Sequence, residues 1–266
     1  MREASAPSLA PVDPLIRLSG VSKTFSTGTR AVAAVDLNLM PGEFLSILGP
    51  SGCGKSTLLR MIAGLGAPTG GEIQWASGHG GGSRHGTRDL GFVFQDPTLM
   101  PWANALDNVA LPLILEGSAK REAQAAARDK LALVGLSGFE NAYPRELSGG
   151  MKMRVSIARG LVTEPSLLLM DEPFAALDEI TRHRLNHDLL NVWRDVGFTA
   201  VFVTHSVFES VFLSQRIVVM AARPGRIVST LDVGAPYPRD EMFRTSSAYA
   251  SLCRQASDQL KLAMES

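Results

Sequence analysis

Short apolar and alternating stretches divide this chain into predicted strands. Ile16–Leu18 and Ala31–Leu39 alternate between apolar and polar residues, as half-buried strands do, and a turn is predicted between them at Ser26–Arg30. Arg226–Leu231 is also strand-like. Further apolar runs of strand length occur at Phe44–Leu48, Leu167–Met170, Ala200–Val203 and Ile217–Met220.

Helical patterns lie between these strands. The predicted helices are Ser56–Gly64, Ile180–Val196, Val207–Leu213 and a tail helix near Ala248–Met264. Because strands and helices alternate from Leu167 onward, the pattern predicts an α/β fold with a largely parallel sheet. Residues 97–146 differ, since Ala119–Val134 is rich in the helix formers Ala, Lys, Arg, Glu and Leu. We therefore expect a helical insertion between two halves of the α/β core.

Composition limits the classes of function. The chain has 266 residues, and its 26 Lys and Arg balance its 26 Asp and Glu. A zero net charge argues against a bulk nucleic-acid binder, which usually has a basic excess. The two cysteines, Cys53 and Cys253, are too few for a disulfide framework and fit a reducing cytoplasm. No stretch approaches the roughly 18 apolar residues of a membrane span, so work at a membrane would require spans from another chain.

The expected domain occupies residues 15–232, with its helical part at about 97–150 and a short tail at 233–266. Met1–Pro14 is rich in Pro, Ala and Ser, lacks the apolar run of a secretory signal, and is expected to be a disordered lead. Ser77–Thr87 is a Gly-rich loop that contains His79 and His85. No acidic or Cys partner lies at ligand spacing, so a solvated loop is favoured over a metal site.

The first motif with a chemical meaning is Gly49–Ser56, which matches the pattern G-x-x-x-x-G-K-[ST]. It follows a predicted strand and opens a predicted helix, so its N–H groups can converge on a phosphate at the positive end of that helix. Lys55 is expected to reach the β- and γ-phosphates, and the Ser56 hydroxyl to bind Mg²⁺. Cys53, inside the loop, is interpreted as a small residue that fits rather than as a reactive thiol.

Two acids, Asp171 and Glu172, follow the apolar run Leu167–Met170. An acid there faces the phosphate loop across the carboxyl edge of the sheet. Asp171 then suits the Mg²⁺ shell, and Glu172 can orient or deprotonate an attacking water. Alone, such a pair is only a helix N-cap signal, but the phosphate loop favours the catalytic interpretation.

These motifs, with others in the same order, give the chain a family resemblance. From about Ile16 to Leu231 it resembles the nucleotide-binding subunit of an ATP-binding-cassette (ABC) transporter. Gln95 is similar to the family's glutamine loop, and Leu147–Met151 to its signature sequence. Ala175–Asp178 resembles the loop that crosses the family's dimer, and His205 resembles its switch histidine.

The resemblance implies a RecA-like P-loop ATPase core with an antiparallel β subdomain and a helical insertion. It implies catalytic roles for Glu172, His205 and Gln95, and Mg²⁺ ligation by Ser56, Gln95 and Asp171. A histidine at this place can donate to developing charge on the γ-phosphate. The residues expected to bind ATP are Phe25, which would stack on adenine, and Gly49, Pro50, Ser51, Gly52, Cys53, Gly54, Lys55, Ser56, Thr57, Ser148, Gly149, Gly150 and Asp178.

The resemblance also implies an assembly. Gly149 and Gly150 would present N–H groups to an ATP held by the other subunit's phosphate loop, so that a homodimer sandwiches two ATP molecules head to tail. Two integral-membrane permease subunits and an extracytoplasmic solute-binding protein would complete an importer, without nucleic acid. The chain would then lie peripherally on the cytoplasmic face of the inner membrane.

Three features resemble one importer branch, which takes up nitrate, taurine and alkanesulfonates, or pyrimidine precursors of thiamine. They are Met151, where the family usually has Gln, and the stretches Phe94–Trp102 and Ala222–Arg226. The two prolines and Trp102 predict a rigid loop that presents an aromatic anchor near a groove for a permease helix. A core position for Trp102 is the alternative.

Other functions share the core motifs. A soluble cassette ATPase that acts on DNA or ribosomes usually carries long coiled coils or two cassettes, whereas this chain has one cassette and no heptad run. A regulator with little turnover is disfavoured because Glu172 is present. An exporter motor is disfavoured by the short tail and the branch features.

Overall fold

A computed structural model describes residues 13–76 and 89–265. The expected lead, except Asp13 and Pro14, and the Ser77–Thr87 loop with its two histidines lie outside the described residues. The strands are β1 (Ile16–Thr24), β2 (Arg30–Leu39), β3 (Phe44–Leu48), β4 (Gly70–Trp75), β5 (Leu90–Val93), β6 (Leu167–Asp171), β7 (Thr199–Thr204), β8 (Arg216–Ala221) and β9 (Arg226–Asp232). The α-helices are α1 (Lys55–Ile62), α2 (Ala105–Leu115), α3 (Lys120–Leu133), α4 (Gly149–Leu161), α5 (Glu179–Val196), α6 (Val207–Leu213), α7 (Glu241–Arg244) and α8 (Ser247–Glu265).

Six strands form the central sheet in the order β5-β6-β7-β3-β8-β9. The first five of these pair in parallel, and β9 is an antiparallel edge strand. Every residue of β3, β6 and β7 is buried, as expected for parallel strands that are covered on both faces. The predicted largely parallel sheet is therefore confirmed. Because β6, β7 and β3 are adjacent and parallel, their carboxyl ends meet at one edge of the sheet.

A second, antiparallel sheet has the order β2-β1-β4. Ile16 pairs with Leu39 and Leu18 with Leu37, and all four side chains are buried. These residues form a core with α1 and with one face of the central sheet, including Ile47. The smaller sheet thereby packs against α1 and the central sheet, and the antiparallel β subdomain is confirmed.

Helices cover the opposite face of the central sheet. Phe44 of β3 meets Trp193 of α5 edge to face, with ring centroids 5.6 Å apart. Along the chain, helices α2 and α3 follow β5 and precede α4. Helix α3 buries one stripe of residues at helical spacing, namely Ala123, Ala127 and Leu131. The expected helical insertion therefore occurs, and it begins with α2, before the helix-forming stretch Ala119–Val134. Among the described residues, no helix has the length and apolar character that a bilayer crossing requires.

Most predicted elements occur within a few residues of their expected bounds, and Phe44–Leu48 and Val207–Leu213 coincide with β3 and α6. Strand β1 is longer than Ile16–Leu18, because register shifts beyond Leu18 break the alternation while pairing continues to Thr24. The pattern did not predict β4, β5 or α7. These elements have only six, four and four residues, too few to give a clear period.

Candidate nucleotide-binding site

The phosphate loop connects the carboxyl end of β3 to the first turn of α1. Gly54 precedes the helix in a left-handed conformation with φ of 95°, and a Cβ there would lie 2.6 Å from the carbonyl oxygen of Ala31. Only glycine satisfies both conditions without strain. The Lys55 ammonium donates to the carbonyl oxygens of Gly49, at 2.9 Å, and Pro50, at 3.0 Å. The lysine is thus held across the mouth of its own loop.

The Ser56 hydroxyl lies beside the first of the two acids. It donates to Oδ1 of Asp171, the last residue of β6, at 2.7 Å. Burial raises the pKa of the Asp171 carboxyl, and this hydrogen bond from Ser56 opposes the shift. The prediction that Asp171 faces the phosphate loop is confirmed, since a single intervening strand brings residues 115 positions apart into contact.

Glu172 connects the phosphate loop to His205. Its φ is 46°, an uncommon value for a residue with a side chain, and its N–H donates to the carbonyl oxygen of Val203 at 3.0 Å. One carboxylate oxygen lies 3.3 Å from the Lys55 ammonium, and the other lies 3.0 Å from Nδ1 of His205. His205 follows β7, which pairs with β6 as predicted. A single carboxylate therefore contacts both Lys55 and His205, the two side chains expected to donate to the phosphates.

A cavity of about 500 Å³ opens beside these groups. Phe25, 46% exposed, contributes an aromatic ring to its wall, which suits stacking on a nucleobase. The other lining residues are Ala31, Ser51, Gly52, Gly54, Lys55, Ser56, Thr57, Gln95 and Glu172. The structure thus brings Phe25, Gln95 and Glu172 to the phosphate loop, as the sequence predicted.

The oxygen atoms at the edge of this cavity fit a hard divalent cation. Ser56 and Asp171 place a hydroxyl and a carboxylate in direct contact, and the amide of Gln95 lines the same cavity. Mg²⁺ is usually held by one or two such groups together with water and substrate phosphates. The donor set therefore suits Mg²⁺ bound with a nucleotide better than a site built from protein ligands alone. Among the described residues, no cluster of three His, Cys, Asp or Glu is placed to hold a metal ion.

The signature residues lie outside this cavity. Ser148 is the N-cap of α4, and its hydroxyl accepts from the N–H of Met151 at 3.3 Å. A Cβ on Gly150 would lie 2.8 Å from Cγ2 of Thr181, so the glycine permits close packing against α5. Met151 packs against the hydrophobic core. Ser148, Gly149 and Gly150 do not line the cavity of their own chain.

Asp178 is also apart from the cavity. It is the N-cap of α5, and its carboxylate accepts from the N–H of Thr181 at 2.9 Å. Hydrogen bonds from Thr181 lower the pKa of the Asp178 carboxyl. The side chain therefore fixes the end of the Ala175–Asp178 loop within its own chain.

The Cys53 side chain is buried within the phosphate loop. Burial raises the pKa of its thiol, and the nearby positive charge of Lys55 does not reverse this shift. A thiol with a raised pKa is a poor nucleophile at neutral pH. This supports the interpretation of Cys53 as a small residue that the tight phosphate loop can accommodate, rather than a reactive thiol.

Gly225 is a supporting residue of the loop that the sequence had given only as a branch feature. Its N–H donates to the carbonyl oxygen of Ala31 at 3.0 Å, and its own carbonyl accepts from the N–H of Ala33 at 2.8 Å. A Cβ on Gly225 would lie 2.1 Å from the carbonyl oxygen of Cys53. The backbone of the phosphate loop therefore rests directly on the turn between β8 and β9.

Gly225→Ala should distort the phosphate loop. Since the new methyl group meets backbone rather than a movable side chain, we expect a cost of about 1–3 kcal/mol in stability. We also expect the KM for ATP to rise roughly tenfold, the equivalent of about 1.4 kcal/mol. Steady-state ATPase kinetics and thermal unfolding check this. Gly66→Ala is the matched control, because a Cβ at Gly66 meets open space; equal effects of the two substitutions would contradict the supporting role.

Comparison with known proteins agrees with this geometry. The sequence profile of the family described as ABC transporter matches residues 32–175. An uncharacterised ABC transporter ATP-binding protein of Methanocaldococcus jannaschii is 47% identical over 232 residues, which cover 85% of this chain and 84% of that protein. The aliphatic sulfonates import ATP-binding protein SsuB of Bacillus cereus is 40% identical over 249 residues, which cover 92% of this chain and 96% of that protein.

Solved structures share the fold. A dimeric bacterial ABC transporter cassette has a TM-score of 0.69 and 33% identity, over 83% of this chain and 100% of that chain. A dimeric post-hydrolysis state of that cassette, bound to ADP and Pi, has a TM-score of 0.69 and 34% identity over the same shares, 83% and 100%.

The phosphate loop, the two acids at the adjoining strand end and the parallel sheet that joins them define a P-loop ATPase. The profile match and the relatives give its family. This chain belongs to the ABC transporter ATP-binding family and is an ABC ATPase that binds ATP.

Proposed function

We propose that this chain is the ATP-hydrolysing motor subunit of an importer for aliphatic sulfonates. The observation that carries this proposal is that relatives named aliphatic sulfonates import ATP-binding protein are 40% to 42% identical over 85% to 92% of this chain. Nitrate and pyrimidine precursors, which the sequence left open, have only the branch-level motifs in their favour. The chain would work on the cytoplasmic face of the membrane, beside separate permease subunits.

The contacts in and beside the cavity support a division of roles in hydrolysis. Lys55 would bind the β- and γ-phosphates, and Ser56, Asp171 and Gln95 would hold Mg²⁺, which when bound neutralises phosphate charge. Glu172 would orient and deprotonate the attacking water. His205 would donate to the γ-phosphate, and its contact with Glu172 at 3.0 Å gives both residues a fixed mutual position.

The position of the signature residues supports a head-to-tail homodimer. Ser148, Gly149 and Gly150 begin a helix, where N–H groups favour an anion, yet they line no part of their own chain's cavity. Asp178 is exposed and also lies apart from this cavity. We propose that these residues complete the ATP site of a second copy. The dimeric cassette of similar fold supports this arrangement.

A rigid loop next to Gln95 supports docking to a permease. The side chain of Arg159, in α4, donates to the carbonyl oxygens of Pro97 at 2.8 Å and Thr98 at 2.9 Å. Asn108, in α2, is buried and bonds the backbone of Met100 through both its amide oxygen and nitrogen. Trp102 is 75% exposed at the tip of this loop, which excludes the core alternative. An exposed indole on a fixed loop is well suited to anchor a partner.

Co-purification from native membranes tests the proposal. We expect tagged chain to bring down a polytopic permease and a solute-binding protein. The binding protein should then bind alkanesulfonates in calorimetry, and should bind nitrate and pyrimidines at least about tenfold more weakly. Recovery of the chain without a permease, or with ribosomes or DNA, would contradict the importer. A binding protein that prefers nitrate or a pyrimidine would contradict the solute.

Trp102→Ala should uncouple the chain from its permease. Loss of a buried aromatic anchor costs about 2 kcal/mol or more, so we expect the permease affinity to fall roughly thirtyfold. ATPase activity of the isolated chain should stay unchanged, because Trp102 does not line the cavity. The matched control is Leu262→Ala, at an apolar residue of α8 that is 58% exposed. Pull-down and solute uptake measure the effect, and full coupling of Trp102→Ala would contradict the docking role.

A further inference from the structure

Glu209 is a buried acid that has no part in the mechanism described above. It lies in the first turn of α6, and its side chain is only 7% exposed. The sequence Ser206-Val207-Phe208-Glu209 has the spacing of a capping box, in which the acid would bond the N–H of Ser206. In the structure that N–H instead donates to the hydroxyl of Thr204 at 3.0 Å. The carboxylate of Glu209 is therefore free for other contacts.

One oxygen of this carboxylate fixes the segment that carries His205. The Thr204 hydroxyl donates to Oε2 of Glu209, while the same hydroxyl oxygen accepts from the N–H of Ser206. Thr204 and Ser206 flank His205 directly. The backbone on both sides of the histidine is thus tied to Glu209 through one hydroxyl group.

The other oxygen faces Arg182 of α5. Oε1 of Glu209 lies 3.7 Å from Nε of Arg182, and both atoms are buried without a hydrogen-bond partner among the described residues. This distance fits an ion pair but exceeds that of a hydrogen bond. Nη2 of the same arginine donates to the carbonyl oxygen of Leu177 at 2.8 Å. Arg182 therefore connects Glu209 to the Ala175–Asp178 loop.

Burial of the Glu209 carboxylate is costly, whereas the Arg182 side chain is 28% exposed. Burial raises the pKa of the Glu209 carboxyl, although the Thr204 hydroxyl and the charge of Arg182 oppose the shift. A buried ion pair often contributes no net stability compared with apolar residues of similar volume. A gain in stability alone therefore does not explain this pair. Its contacts on either side indicate a role in the ATP site. One end reaches the His205 segment, and the other reaches the loop that ends at Asp178.

We infer that Glu209 and Arg182 are positioning residues for ATP hydrolysis, which hold the His205 segment and the Ala175–Asp178 loop in a fixed relation. Neither residue lines the ATP cavity, so they act through others. The inference rests on the proposed roles of His205 and of the Ala175–Asp178 loop at the dimer. Through this pair, the arrangement of one ATP site would depend on a loop that contacts the second copy.

A double-mutant cycle tests the pair. Glu209→Gln and Arg182→Gln should each lower kcat roughly tenfold and leave the KM for ATP within about twofold, and the double variant should be no slower than the slower single variant. Glu179→Gln and Arg184→Gln, at exposed positions of α5, are the matched controls and should leave kcat unchanged. The Hill coefficient for ATP should fall towards one in the cycle variants. Additive effects, or an increase in KM that matches the fall in kcat, would overturn the inference.

Thr204 provides a second test that does not depend on removing a buried charge. Thr204→Val removes the hydroxyl that joins Glu209 to the His205 segment, and Thr204→Ser retains it. We expect Thr204→Val to lower kcat roughly tenfold at unchanged KM, and Thr204→Ser to restore most of the rate. Equal rates for the two variants would overturn the inference.

The outcome also separates this inference from the proposed function. Normal turnover by Glu209→Gln alongside a loss of turnover by Glu172→Gln would overturn the positioning role alone. Normal turnover by Glu172→Gln would instead overturn the catalytic assignment of Glu172, which belongs to the proposed function.

Discussion

Glu172→Gln should retain ATP binding and lose turnover by at least about a hundredfold, because an amide cannot accept the proton of the attacking water. The substitution preserves the shape of the side chain. The amide oxygen can still accept from Lys55 or from His205, which lie 3.3 Å and 3.0 Å from the carboxylate oxygens. The loss should therefore fall on kcat rather than on the affinity for ATP. Single-turnover hydrolysis and equilibrium nucleotide binding measure the two quantities separately.

The same variant should accumulate as an ATP-bound dimer. If two copies close around two ATP molecules and reopen only after hydrolysis, blocking hydrolysis leaves the closed form populated. Size-exclusion chromatography with ATP and Mg²⁺ should then show a dimer that the unmodified chain forms only transiently. Glu179→Gln is the matched control, because this acid is exposed and begins α5 outside the cavity. Normal hydrolysis by Glu172→Gln would exclude Glu172 as the base.

The local motifs could be predicted from the sequence because each depends on a short stretch of chain. Gly49–Ser56 needs only a strand before it and a helix after it, and both are present. The contact between Ser56 and Asp171 spans 115 positions, yet it followed from a simple rule. Carboxyl ends of parallel strands share one edge, and the order β6-β7-β3 brings these two residues together there.

The supporting contacts could not be predicted because they depend on tertiary packing. Glu209 has the sequence pattern of a capping box, in which its carboxylate would accept from the N–H of Ser206. Only the structure shows that the Thr204 hydroxyl accepts from this N–H and itself donates to Glu209. Arg182 resembles any charged residue of an amphipathic helix until its contact with Leu177 is seen. Gly225 was noted only as part of the branch stretch Ala222–Arg226, and its partner in the phosphate loop is far along the chain.

The residues expected to contact ATP fall into one group that a single chain brings together and one group that needs a second copy. Phe25, Gln95 and Glu172 meet the phosphate loop within one chain, so the fold alone brings them together. Ser148 and Asp178 each cap a helix of their own chain and lie outside the cavity. Their expected contact with ATP requires a second copy. A single chain thus leaves the expected contacts of Ser148, Gly149, Gly150 and Asp178 with ATP unmade, and dimerisation and hydrolysis should depend on each other.

Lys55→Ala should weaken ATP binding by roughly a hundredfold, since hydrogen bonds to charged groups are each worth about 1.5–3 kcal/mol and the ammonium can make more than one to the phosphates. Lys55 is buried at the first turn of α1, where its ammonium already contacts the carbonyl oxygens of Gly49 and Pro50 and the carboxylate of Glu172. Alanine removes the only lysine that lines the cavity among residues 13–76 and 89–265. It leaves the N–H groups of the loop in place, so binding should be weakened rather than abolished.

The matched control for this change is Lys120→Ala. Lys120 is also the first residue of a helix, α3, but it is exposed and lies outside the cavity. Loss of a charge at a helix start is therefore common to both variants, and only Lys55→Ala also loses the phosphate contact. Calorimetric titration with ATP should separate the two by about the full hundredfold, which corresponds to about 2.7 kcal/mol. Equal affinities for the two variants would show that the backbone of the loop binds the phosphates without Lys55. The main role of Lys55 would then be to hold the carboxylate of Glu172 in place.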